Sequence, residues 1–324
     1  MTRIKYILAF LTAACFTVIP LTANAEFDWG AKYAGDFISG QSNARLLAMG
    51  GVGVAIAEGP SAILANPALI FADRANSVSL MHADRFESLV KVDHASYVLN
   101  SFDGRAMGLG MIRQGVDNIP VTQLENPSLP IRHDNRVRIL EQTSASEYAF
   151  QFAYALDKPY GRIGASAKLL YKRLYDQDGL GLGIDVGYAR RFGGLTLGAQ
   201  LRDALTTVIV WETGRQEGII PTADVGAAYL IEAPRLKADI LFVSEARFRT
   251  EAIDDPDFAS YHGGIEYCIQ KVASARVGVD DRRLTYGAGL NLGPAALDYA
   301  FIGHSELGAT HRISLGYRWG KTDI

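Results

Sequence analysis

The residue types that could carry chemistry are present but scattered. The six histidines are His82, His94, His133, His262, His304 and His311, and none has a His, Cys or carboxylate at a metal-site spacing. No G-x-S-x-G nucleophile elbow occurs. The Gly50–Gly53 run fails the dinucleotide fingerprint, because Ile56 stands where the third glycine belongs. The glycines of 179–183 fall inside an alternating segment and read as small side chains on one face. Glu251, Asp254, Asp255 and Asp257 could hold Ca²⁺ weakly, but they lack EF-hand spacing and read as a solvated outer loop. The expectation is no catalytic residue, no metal site, no cofactor and no enzyme.

What the charged residues do share is a parity. Lys168, Asp185, Arg191, Arg202, Asp224, Asp239, Glu266, Arg276, Asp298, Arg312 and Arg318 all fall on the small-residue side of alternating segments, as does Cys268. Both signs are mixed, and charges taken out of water need partners. The expectation is a polar lumen network of Asp185, Arg191, Glu266, Arg276, Asp298, Arg312 and Arg318 that grips an internal plug, with an ion-selective pore as the alternative.

The elements that must position these charges are strands. In 147–156, Tyr148, Phe150, Phe152, Tyr154 and Leu156 alternate with Glu147, Ala149, Gln151, Ala153 and Ala155. Successive strand side chains point to opposite faces, so one face is bulky and apolar and the other small or polar. Similar segments cover 76–82, 88–100, 104–114, 146–157, 161–174, 178–192, 195–204, 221–232, 236–247, 260–269, 272–280, 283–292, 295–303 and 309–319. That makes about fourteen, and bacterial outer-membrane barrels close with an even number of antiparallel strands. Alternate gaps are only two or three residues, with Gly193-Gly194, Pro234 and Gly293-Pro294 suited to tight turns. The gaps on the other rim include 115–145, 205–220 and 248–259. Short periplasmic turns opposite longer outer loops is the barrel pattern. A soluble sandwich would put its bulky face inward; the small, glycine-rich parity argues for the reverse. Tyr171, Tyr188, Tyr317 and Trp319, near strand ends, suit an interfacial aromatic girdle. The fold class is therefore all-β: a transmembrane antiparallel up-and-down barrel of about 14 strands with an N-terminal segment in the lumen.

Composition fits this class. The 324 residues are 48% hydrophobic and 21% charged, with 33 glycines and a net charge of −3. That excludes a disordered chain and lacks the basic excess of a nucleic-acid binder. Arg3, Lys5 and the apolar run Tyr6 to Leu21, followed by Ala23-Asn24-Ala25, predict a signal peptide over 1–25 and a mature start at Glu26. Thr12 to Cys15 is a poorer, lipoprotein-type alternative. Removing the leader moves the net charge to −5 and leaves Cys268 alone, so no internal disulfide is expected. The remaining divisions are 26–75 as a plug segment, 76–320 as the barrel and 321–324 as a tail.

Residues 26–75 do not alternate. Their small residues suit close packing in a confined space, and Pro60-Ser61 predicts a short helix through Leu64 that Asn66-Pro67 ends. Arg45, Met49, Gly50, Gly51, Pro60, Ser61, Asn66, Pro67 and Ala68 form a pattern that resembles the N-terminus of the PorV/PorQ family of FadL-like outer-membrane proteins. The resemblance implies a fourteen-stranded outer-membrane barrel with this segment folded inside as a hatch. It also implies one of two roles. The first, slightly favoured by the motif, is an accessory in protein secretion whose partners are secretion-system proteins or secreted cargo. The second is a passive transporter of hydrophobic small molecules. Either way the expected surroundings are outer-membrane lipid. The 115–145 loop is the first candidate for gating or partner contact.

Overall fold

The computed structural model describes residues 27–28, 35, 37–38, 43–71, 75–101, 103–249, 258–304 and 308–320. The leader with Cys15, the 251–257 acidic cluster and the 321–324 tail lie outside them.

All fourteen predicted segments are strands. They are β1 (Asn76–Arg85), β2 (Val90–Ser101), β3 (Arg105–Leu124), β4 (Val137–Lys158), β5 (Gly161–Leu174), β6 (Gln177–Phe192) and β7 (Leu195–Arg202). There follow β8 (Thr222–Ala233), β9 (Ala238–Arg249), β10 (Ala259–Ile269), β11 (Ala273–Asp280), β12 (Arg283–Leu292), β13 (Ala295–His304) and β14 (Gly308–Trp319). Each pairs antiparallel with its neighbour, and β14 returns to β1 with His311 opposite Asp84 and Trp319 opposite Asn76. That last ladder closes the barrel. A closed ladder leaves no open sheet edge, which crossing hydrocarbon demands.

The alternation resolves as the glycine parity indicated. Phe150 and Phe152 are exposed, while Gln151 between them and Ala149 and Ala153 on either side are buried. The same holds for Leu182, Phe242 and Ile313, which face outward. A bulky apolar outer face around a closed barrel is solvated by lipid, and the chain is a bacterial outer-membrane protein. Trp319 stacks between Tyr97 and Tyr317, with ring centroids 5.8 and 6.1 Å away.

Two long gaps hold more structure than the sequence indicates. The predicted 115–145 loop is mostly a ribbon, because β3 runs on to Leu124 and β4 begins at Val137. Its register shifts twice, between Val116 and Ile119 and between Val121 and Thr122. Both faces of this extension are largely exposed, so the apolar contrast that marks a strand fades there. The 205–220 gap contains a hairpin of strands Thr207–Trp211 and Gln216–Ile219. Its first strand pairs back onto β6, and Phe27–Asp28 pairs parallel with its second.

Candidate functional site

Residues 43–71 sit against the inner faces of the strands. Asn43 opens helix α1 (Ala44–Leu47), its Oδ1 accepting from Leu46 N at 3.0 Å. Ala44 N donates to Ser314 Oγ at 2.8 Å. Gly59–Ser61 forms a 3₁₀ turn that leads into helix α2 (Ala62–Ala65), and the Asn66-Pro67 pair ends it. The predicted helix therefore forms, as a 3₁₀ turn followed by an α turn, and runs one residue past Leu64.

Each residue of the 45–68 motif has a definite place. Arg45 donates from Nε and Nη2 to both oxygens of Glu266, at 2.9 and 2.8 Å. Burial works against the Arg45 charge, but Glu266 outweighs it and raises the guanidinium above its ordinary pKa. Met49 is fully buried, and its backbone covers Gly264 and Gly278. Gly50 donates to Thr285 Oγ1 at 3.0 Å; a side chain there would meet Gly263 O at 2.7 Å. Gly51 faces open space instead, with only Asp280 near its missing side chain, at 3.9 Å. Pro60 is buried, whereas Ser61 is half-buried and donates to Glu58 O at 2.8 Å. Asn66 Nδ2 donates to Val54 O at 2.7 Å and to Tyr188 O at 3.1 Å. Pro67 presses on Gly164, where any Cβ would collide with its carbonyl and with Ala68 N. Small residues on the wall thus make room for backbone on the segment.

The predicted lumen charges divide. Arg276 donates from Nε to Glu266 and from Nη1 to Asp298 at 2.7 Å, so Arg45, Glu266, Arg276 and Asp298 form one chain of charges. Arg318 and Cys268 line the same polar recess of about 230 Å³. Asp185 lies elsewhere in the lumen, paired with Lys168. Arg312 is buried on the inner face of β14. Arg191 is not in a network: it is exposed and its Nε donates to Gly193 O at 3.0 Å, on the tight turn between β6 and β7. Its parity is that of the lumen, but it stands one residue from the end of β6, where the inner face is exposed.

Sequence reasoning missed a second ionic group. Glu245 accepts from the backbone N–H of Gly53 and Val54 at 2.7 and 2.9 Å, and Arg247 bridges Glu245 to Asp224. It also missed a break in the wall. β6 pairs with β7 from Val186 to Phe192, then with Thr207–Trp211 from Gly179 to Leu182. In between, three residues of β6 oppose the six residues 202–207. Asp203 N donates to Asp185 Oδ1 and Ala204 N to Ile184 O, both at 2.8 Å. Lys168 Nζ lies 2.8 Å from Asp185 and 2.6 Å from Asp203, and Thr207 Oγ1 donates to Asp203.

Outside this break lies an apolar groove of about 830 Å³, flanked by Leu109, Phe150, Phe152, Leu182 and Leu205. Leu205 is 77% exposed, at the tip of the bulged chain. Inside lies a cavity of about 50 Å³ bounded by Ile38, Leu64, Ile219 and Ile220. Lys168 lines both spaces, and Asp185 and Asp203 line the inner one. The sequence signal was the length of the 205–220 gap together with the run Thr207-Val208-Ile209-Val210-Trp211.

Fold and site together define a fourteen-stranded outer-membrane barrel with an N-terminal segment bonded to its inner wall and one interrupted strand pairing. The chain matches no protein-family model, and no curated protein matches its sequence. Among solved structures it is similar to the toluene transporter TbuX of Ralstonia pickettii, with a TM-score of 0.56 at 12% identity. That match covers 86% of this chain and 98% of TbuX. It is similar also to the toluene transporter TodX of Pseudomonas putida, with a TM-score of 0.55 at 12% identity over 85% of this chain and 96% of TodX. At such identity the likeness is one of fold.

Proposed function

We infer that this chain is a passive outer-membrane transporter of hydrophobic small molecules. The observation that carries the reading is the coincidence of three features at one height in the wall. These are an apolar groove outside, a cavity inside, and between them the only stretch of described wall where six residues face three. An apolar molecule gains roughly 25 cal/mol for each Å² it removes from water. A path that meets the lipid directly through the wall keeps that gain on the outer side, where the groove is apolar. The fold shared with two toluene transporters supports the same reading. In it, residues 43–71 act as a hatch. The secretion-accessory role draws only on the 45–68 motif and takes second place.

The test locks the break shut. A Cβ on Gly183 would touch Thr207 Oγ1, so a Gly183→Cys, Thr207→Cys pair in a Cys268→Ser background is within disulfide reach. Cells carrying the wild-type barrel should take up naphthalene faster than cells without it. The oxidised double variant should fall to the level of cells without the barrel and recover on reduction. Uptake unaffected by oxidation would remove the break from the path. Wild-type uptake no faster than that of barrel-free cells would remove the transport reading itself.

A further inference from the structure

The lumen wall beside the break carries a row of polar side chains across a surface that is otherwise apolar. Strand register places Ser79 opposite Ser96, Ser96 opposite Gly110, Gly110 opposite Gln151, and Gln151 opposite Lys168. All lie on the inner parity, and the row ends at the wall break. The next row toward the outer rim reads Met81, His94, Ile112, Ala149 and Leu170, apolar except for His94. Met81, Ala83, Val92, Ile112, Ala149, Leu170 and Ile209 pack there with Phe37 and Leu64.

Three polar side chains of this patch have an atom without a partner. His94, Ser96 and Gln151 are each 4% exposed, and no hydrogen bond reaches His94 Nε2, Ser96 Oγ or Gln151 Nε2. Buried polar groups are nearly always paired, because an unmade bond costs about 1–3 kcal/mol. Three orphans on adjoining positions of one wall therefore need a common explanation. Two of the three side chains meet over Gly110, where a point one bond out from Cα lies 3.8 Å from His94 Nε2 and 3.8 Å from Gln151 Oε1, with Ile63 Cγ2 of α2 at 3.2 Å; Ser96 stands opposite Gly110 on the next strand. Gly110 leaves the floor of the patch open, and Ile63 roofs it.

We propose that His94, Ser96 and Gln151 form a head-group subsite, and that the molecules carried are not bare hydrocarbons but apolar bodies bearing one neutral oxygen function, such as a phenol, alcohol or ketone. The proposal rests on the transport reading and names its substrate class. The apolar body lies on the Met81–Ile112–Leu170 surface while its hydroxyl or carbonyl bonds to the orphan atoms, once α2 lifts Ile63 from Gly110. The row then leads the head to the break, four strands along. Charge at the end of the row sets the preference for a neutral head. Lys168 is already shared between Asp185 and Asp203, so the end of the row offers a carboxylate no uncommitted ammonium.

The experiment uses three fluorinated probes of one ring size: 4-fluorophenol, fluorobenzene and 4-fluorobenzoate. Their binding to the full-length barrel, refolded in detergent, is read by ¹⁹F NMR line broadening against protein-free micelles. Wild type should bind 4-fluorophenol about tenfold more tightly than fluorobenzene, the scale of one or two neutral hydrogen bonds. It should bind 4-fluorobenzoate no better than fluorobenzene. Gln151→Leu, and more mildly Ser96→Ala, should erase the phenol preference while leaving fluorobenzene binding and the heat-modifiable gel mobility unchanged. Equal binding of phenol and benzene, a preference that survives both substitutions, or tightest binding by the carboxylate would each overturn the head-group subsite alone. No saturable binding of any probe would overturn the transport reading with it.

Discussion

The two sides of the lumen hold the N-terminal segment by different means. Along β7 to β13 the grip is ionic and directional. Glu245 takes two backbone N–H groups, Thr285 bridges Gly50 N and Ala48 O, and Arg45 enters the Glu266–Arg276–Asp298 chain. Along β1 to β5 the grip is by shape. Ile63 of α2 lies over Gly108 and Gly110, and Leu64 joins the apolar cluster near Phe37. An ion pair taken out of water tolerates little displacement, because each charge loses its only compensation. An apolar contact over glycines has no such direction. One side holds the segment by directional bonds; on the other, α2 itself is held by apolar contact up to its Asn66 cap, and α2 is the part that covers the break and the polar row.

Removing the centre of the ionic side should have the largest effect. Glu266→Ala leaves Arg45 and Arg276 facing one another, with Asp298 and a distant Glu58 at 4.0 Å to balance them. The expected loss is about 3–5 kcal/mol, read as a lower urea midpoint for the barrel in lipid bilayers. A loss within the range of an ordinary surface pair would mean the ionic side anchors nothing.

Next comes the close approach behind Gly50. A Cβ on Gly278 would drive into Met49 C and Gly50 N, with Met49 Cα at 2.7 Å, so Gly278→Val forces the segment away from β11. Overpacking of this kind costs about 1–3 kcal/mol. The barrel should still show heat-modifiable mobility, while amides of residues 44–57 lose protection from hydrogen exchange. Gly51 is no control for this, because its side-chain direction opens toward space but its φ of +76° strains any side chain placed there. Protection unchanged in Gly278→Val would put the segment's grip elsewhere.

The barrel was legible because membrane strands must alternate, and hydrocarbon outside with small residues inside made the two parities unlike at every strand. Glu266, Arg276 and Asp298 were legible as a network by the same parity rule. What parity could not supply was neighbourhood. Arg191 obeys the rule and still caps a turn, while Glu245 and Arg247 are spaced like their neighbours yet hold the segment. The 116–124 and 137–145 ribbon was missed because beyond the membrane both faces meet water and the contrast vanishes. The break was missed for another reason: Arg202 to Thr207 leaves the ladder and rejoins it on the same partner, a topology that local pattern does not encode.

The smallest expected effect probes the apolar side. Ile63 is fully buried, with Cδ1 2.8 Å from the place where a Gly108 Cβ would stand. Ile63→Val removes that methyl and nothing polar, and such truncations cost about 0.5–1.5 kcal/mol. The stability change should therefore be several times smaller than that of Glu266→Ala. Its consequence for passage should run the other way, because the methyl withdraws from above Gly108 and α2 has less to lift. Naphthalene uptake should be equal to or faster than wild type, although the protein is slightly less stable. A loss of stability as large as that of Glu266→Ala, with uptake falling, would mean the glycine face specifies the segment as strictly as the ions do. The contrast between a directional side and an apolar side would then be gone.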